Sequence, residues 1–190
     1  MTLFESIITY FQLGFTHVIP LGFDHILFIL TLFFLSSNIK TMLFQCSVFT
    51  LAHSLSLALA ASGLIIPNAS IVEPLIALSI LFTAIENIVH NKLNPWRLVL
   101  IFGFGLIHGL GFAKALNEIG IPKNQFFTSL LSFNLGVEMG QISVIVTAYF
   151  LISRRFSKKI WYKERVVYPI SSVIACIALY WVIERILFPN

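Results

Sequence analysis

Charge is scarce in this chain: 11% of its 190 residues are Asp, Glu, Lys or Arg, while 58% are hydrophobic, well above the roughly 45–50% of an ordinary soluble domain. That shortage excludes a water-exposed surface over most of the molecule. Cysteine is almost absent as well. Cys46 and Cys176 both fall inside apolar runs, where they read as small packing residues rather than a disulfide or a thiolate metal pair. No fixed-period repeat or low-complexity tract breaks the sequence. The first 21 residues contain Glu5 but no Lys or Arg, so they lack the basic start of a cleaved signal peptide. The net charge of +4 comes from cations in the connecting segments, which membrane orientation requires, and gives no support to nucleic-acid binding.

What is present is long apolar runs rich in Phe, Leu and Ile. Six of them read as helices, at about Gly22 to Ser37, Thr41 to Ser62, Ser70 to His90, Arg97 to Leu116, Thr128 to Ile152 and Val166 to Leu187, each near the ~20 residues that span a bilayer core. Short connectors with turn chemistry separate them: Ser37-Asn38, Gly63 to Asn68, Asn91 to Pro95, Asn117 to Asn124 and the basic stretch Ser153 to Arg165. Residues 1–21 are amphipathic and end at Pro20, which predicts an interfacial or re-entrant segment. The expected fold is all-α: one integral membrane domain over 1–190, with 22–187 as a polytopic bundle of about six transmembrane helices, embedded in the lipid bilayer.

Nine cations (Lys40, Lys92, Arg97, Arg154, Arg155, Lys158, Lys159, Lys163 and Arg165) fall at the first, third and fifth loops, against Lys114, Lys123 and Arg185 on the other side. The positive-inside rule then makes the odd loops cytoplasmic and leaves both termini outside. A bacterial inner membrane is the expected location.

Ionisable groups inside lipid cost several kcal/mol each on most scales, so those within the runs need partners or a function. Counting along each helix places Asp24, His25, His53, Glu73, His108, Asn134 and Glu138 in the outer half of the bundle and Glu86 near the inner side. Imidazole and carboxylate without thiolate suit nickel, cobalt, zinc or manganese better than copper(I), with nickel favoured. The reading is therefore a metal site, with His17 at its edge. Gly105 and Gly109 flank His108, and Gly136 and Gly140 flank Glu138; these two G-x-x-x-G pairs predict close packing of the fourth and fifth runs. Glu184, beside Arg185, reads as an interfacial pair outside the site. No catalytic or organic-cofactor motif stands out, so a transporter or accessory protein is preferred over an enzyme.

The segments GFDHILFIL (Gly22 to Leu30), FTLAHSLSLALA (Phe49 to Ala60), VEPLIALSI (Val72 to Ile80), FGFGLIHGLGFA (Phe102 to Ala113) and FNLGVEMGQ (Phe133 to Gln141) together resemble the HupE/UreJ family of hydrogenase and urease accessory membrane proteins, as does YWVIER (Tyr180 to Arg185). The resemblance implies nickel or cobalt uptake for a metalloenzyme maturation system, and it matches Asp24 and His25 to the family's Asp-His pair. The family's signature leaves five residues between a histidine and that pair, whereas six residues separate His17 from Asp24. Three functional expectations follow. The first is a permease using Asp24, His25, His53, Glu73, His108 and Glu138, with Asn134 and His17 nearby and Glu86 on the way in. The second is an intramembrane metal-dependent hydrolase with the same ligands, and the third a non-transporting subunit or chaperone.

Overall fold

The computed structural model describes residues 2–35, 38–90 and 95–189, apart from the side chains of Leu35, Asn117 and Lys123. The sequence-predicted connectors at Ser37 and at Asn91 to Asn94, with Lys92, lie outside the described residues. Described residues form seven helices: α1 Leu3–Val18, α2 Phe23–Leu35, α3 Ile39–Ala61, α4 Ala69–Val89, α5 Arg97–Ile119, α6 Phe126–Phe156 and α7 Lys163–Leu187. Their apolar outer faces carry Phe44, Leu51, Phe82, Leu131 and Leu179, all exposed, as expected where lipid rather than water is the solvent. Five helices, α3 to α7, are long and apolar enough to cross a membrane. The protein is thus an all-α integral membrane bundle.

The N-terminal segment is a short helix joined by a sharp bend to a second short helix. α1 has 16 residues and α2 has 13, about 24 and 20 Å, so neither alone crosses a ~30 Å hydrocarbon core. They meet at a bend of 65° and are long and apolar enough to cross only when taken together. Ser6 bonds Ser129 at 3.0 Å, Gly14 abuts Phe133, and Val18 abuts Gly140, so α1 runs parallel to α6 for its whole length. Its inward stripe is Ser6, Tyr10, Gly14 and Val18, and its outward face is apolar at Leu3, Phe4, Ile7 and Phe11. The boundary expected at Gly22 therefore falls inside one broken unit whose halves join in the bundle's interior.

The glycine pairs also find partners other than those expected. A Cβ on Gly105 would lie 2.5 Å from the Phe49 carbonyl, and one on Gly109 would lie 2.2 Å from the His53 carbonyl. Both glycines seat α5 on α3. A Cβ on Gly136 would lie 2.1 Å from the Phe11 carbonyl, and one on Gly140 would meet Val18, so this pair seats α6 on α1. The expected packing of these two glycine-bearing runs on each other is thus corrected: each pair fits a different helix. Glycine removes the side chain that would hold helices apart, but it carries nothing that selects the partner.

At the other end of the bundle, Arg97 is almost fully buried and donates through Nη1 to Glu86 Oε2 at 2.6 Å. This ion pair joins the start of α5 to the end of α4. Two charges in so apolar a place persist only as a pair.

Candidate metal centre

The break between α1 and α2 builds the site. α1 ends when the Ile19 N–H caps the Phe15 carbonyl, and the chain then turns tightly through 19–22. A Cβ on Gly22 would stand 2.1 Å from the His17 carbonyl, so the absence of a side chain there lets the first turn of α2 close against the last turn of α1. His17 and His25 are brought together by this closure, with ring centroids 4.6 Å apart.

His25 is buried at 3% exposure beside Asp24, which is 26% exposed. Asp24 Oδ1 accepts from the His25 backbone N–H at 3.0 Å and lies 3.4 Å from His25 Nδ1. A carboxylate on one ring nitrogen fixes the imidazole's orientation and leaves Nε2 to face a ligand. α3 supplies His53, wholly buried, with its ring 5.7 Å from that of His25 and 6.1 Å from that of His17. One ligand atom from each of His17, His25 and His53 can be chosen so that all lie within 4.8 Å of one another.

His17 Nε2, His25 Nε2 and both nitrogens of His53 are buried without a partner. A buried polar atom left unpaired costs about 1–3 kcal/mol, and here three such side chains, from α1, α2 and α3, converge. Imidazole nitrogens sharing one ion at ~2.1 Å lie about 3.4 Å apart, so the rings need to close by little more than an ångström to hold one.

His108, on α5, adds a fourth imidazole 5.1 Å from His25. Ser79 Oγ lies 2.7 Å from the Ile76 carbonyl and 2.9 Å from His108 Nε2. With its single proton given to the carbonyl, Ser79 accepts from Nε2–H, which leaves the unpartnered Nδ1 as a free lone pair. Phe49, Phe112 and Phe133 pack against the imidazoles.

A cavity of about 540 Å³ reaches the centre and is lined by His17, Asp24, His25 and His108, with Glu73 farther out. Glu184, Arg185 and Trp181 from the last turns of α7 also line it. The sequence reading set Glu184 outside the site, and the structure puts it on the cavity wall; the YWVIER segment was the available signal. Arg185 Nη1 donates to the Glu73 backbone carbonyl at 3.0 Å, tying α7 to α4 at this mouth.

Three sequence candidates lie elsewhere. Glu86 is held by Arg97. Glu138 and Asn134 face a separate groove between α3 and α6, where Ser47 Oγ donates to Glu138 Oε1 at 3.1 Å. From His108 toward the C-terminal end of α4, a buried polar ladder continues instead between α2, α4 and α7. Thr83 Oγ1 donates to the Ser79 carbonyl at 2.9 Å, Thr31 Oγ1 lies 2.8 Å from Thr83 Oγ1, and Asn87 Nδ2 reaches the Thr31 carbonyl at 2.9 Å and Ser171 Oγ at 3.3 Å.

Comparison with known proteins agrees with this architecture. The family model described as HupE / UreJ protein matches residues 2–185, which takes in both halves of the broken span and all four histidines of the centre. No curated protein and no solved structure matches the chain. The chain belongs to the HupE/UreJ family.

Proposed function

We propose that this HupE/UreJ member is a permease for a divalent transition metal, nickel or cobalt foremost, with zinc as the other metal its donors accommodate. The carrying observation is the convergence of unpaired, buried imidazole nitrogens from His17, His25 and His53 at a helix break. Neutral nitrogen donors without thiolate suit these borderline ions. The cavity carries Asp24, Glu73 and Glu184 against Arg185, an excess of negative charge that draws a hydrated cation from the outer side. Water is exchanged for imidazole at the centre. The polar ladder from Ser79 to Asn87 offers oxygens on the inward route, and this continuation favours passage over hydrolysis, which needs no path beyond the metal. The cargo is destined for a metalloenzyme maturation system on the cytoplasmic side of a bacterial inner membrane.

Radioactive nickel or cobalt accumulation tests the reading. Cells expressing the wild type are expected to accumulate several-fold more metal than cells expressing His25→Ala at equal protein levels. Equal accumulation by the two would refute it. Orientation is checked separately, because it rests on the nine-to-three cation asymmetry. A reporter fused after Phe156 is expected to be active only in the cytoplasm, and one fused at Gly120 only outside; the opposite pattern would invert the proposed direction of transport.

A further inference from the structure

The buried ladder of Ser79, Thr83 and Asn87 ends beside a buried charge pair. On α4, Glu86 stands three residues after Thr83 and seven after Ser79, a spacing that puts it on the ladder's side of the helix. Its carboxylate accepts from Arg97 Nη1 at 2.6 Å, across the loop that joins α4 to α5. Arg97 is 2% exposed and Glu86 7%, whereas Trp96, one residue earlier, is 70% exposed. The pair therefore lies between the ladder and the surface, at the end of α4 away from the metal cavity. Lys163 Nζ, from α7, donates to the His90 carbonyl at 3.1 Å one turn further on, which adds a second cation to this end.

As a tie between helices the pair is poorly built. A buried ion pair offsets the desolvation of its charges only when further hydrogen bonds satisfy the protons that the partner leaves over. Here Nε and Nη2 of Arg97 are buried with no partner among the described residues, and so is Asn87 Oδ1, the neighbour of Glu86. Guanidinium binds a carboxylate best by two parallel bonds, yet Glu86 takes a single one, from Nη1. A guanidinium held so incompletely can be exchanged for another cation. Its position suits that task. A fixed guanidinium on a polar path excludes protons and monovalent cations by its charge. A divalent ion gains twice the Coulomb attraction to Glu86 that a monovalent one does, and a carboxylate oxygen is among its ordinary ligands.

We propose that Arg97 is the selectivity barrier of the inward route: its guanidinium keeps Glu86 from protons and monovalent cations, and a divalent metal arriving along the ladder displaces it from the carboxylate. This inference rests on the permease reading. Metal and guanidinium occupy Glu86 in turn, so the carboxylate is never left bare. Arg97 is thus a specificity-determining residue that stands apart from the histidine centre.

Proteoliposomes containing the full chain test this with two readouts: nickel uptake, and proton entry driven by an imposed potassium-diffusion potential. Without metal, the wild type is expected to be as tight to protons as protein-free vesicles; a leaking wild type would overturn the proposal without any variant. Glu86→Gln/Arg97→Gln removes both charges and leaves two amides able to bond each other. It is expected to admit protons several-fold faster than wild type. Its nickel affinity in detergent should stay within about twofold of wild type, because the histidine centre lies beyond Ser79, about 10 Å along α4. Glu86→Gln alone keeps the guanidinium and removes the carboxylate that the metal takes. It is expected to bind nickel normally, to stay tight to protons and to take up nickel at least about tenfold more slowly. A folded double variant as tight to protons as wild type would overturn the proposal, and so would Glu86→Gln taking up nickel at the wild-type rate. Lost nickel binding in either folded variant would also overturn it, by tying the pair to the histidine centre instead. Failure of the permease reading looks different, because the wild type itself would then take up no nickel.

Discussion

Replacing His53 by phenylalanine is expected to abolish metal binding while leaving the protein folded. His53 is fully buried and neither of its nitrogens has a partner, so in the metal-free protein it contributes packing volume and two unsatisfied polar atoms. Phenylalanine keeps the ring and removes those atoms, and such replacements are close to neutral for stability or favourable. Ligation responds in the opposite way. Loss of a ligating residue lowers affinity by more than the 10–100-fold typical of losing a supporting residue, so nickel affinity is expected to fall at least about 100-fold. Equilibrium dialysis of purified protein reads this directly. Thermal unfolding gives an independent check: nickel at a hundred times its dissociation constant stabilises the wild type by about 2.7 kcal/mol, and the variant's midpoint should not move. A His53→Phe protein that binds nickel as tightly as wild type would remove His53 from the centre and, with it, the tripod.

The second large effect comes from a residue that touches no ligand. Gly109→Leu is expected to destroy binding through geometry alone. Even the Cβ of an alanine at this position would sit 2.2 Å from the His53 carbonyl and 2.2 Å from Ser56 Oγ, and backbone cannot rotate away as a long side chain can. α5 would have to withdraw from α3, taking His108 with it and disturbing the segment that presents His53. Overpacking of this kind costs about 1–3 kcal/mol even in adaptable interiors. The same helix provides the control. A Cβ at Gly103 would meet nothing within 4 Å, so Gly103→Ala should be tolerated and, by helix propensity, mildly stabilising. Nickel binding and melting temperature measured on the two variants decide the matter: equal behaviour would mean that α5 does not depend on close approach to α3.

Between these residues lies the division between what the sequence determined and what folding decided. Long apolar runs can place a backbone in lipid only as helices, because hydrocarbon offers no partner to an open N–H or carbonyl. Hence the membrane bundle was legible residue by residue, and so was the set of polar side chains that needed an explanation. Facing was not. Asn134 and Glu138 share one side of α6, while Phe133, Gly136 and Gly140 share another; only the choice of α1 as the neighbour of the glycine side turned Glu138 toward Ser47 and away from the histidines. His17 looked marginal because its spacing to Asp24 exceeds the family's by one residue, yet the turn at 19–22 folds the last turn of α1 onto the first turn of α2 and brings its ring against His25. Glu86 looked like a station on a path until Arg97, across a loop, proved to be its partner. Sequence spacing fixes where a side chain leaves its own helix. Which helices pack together, and which of their faces meet, is a property of the whole bundle, and that brought the rings of His17, His25 and His53 together.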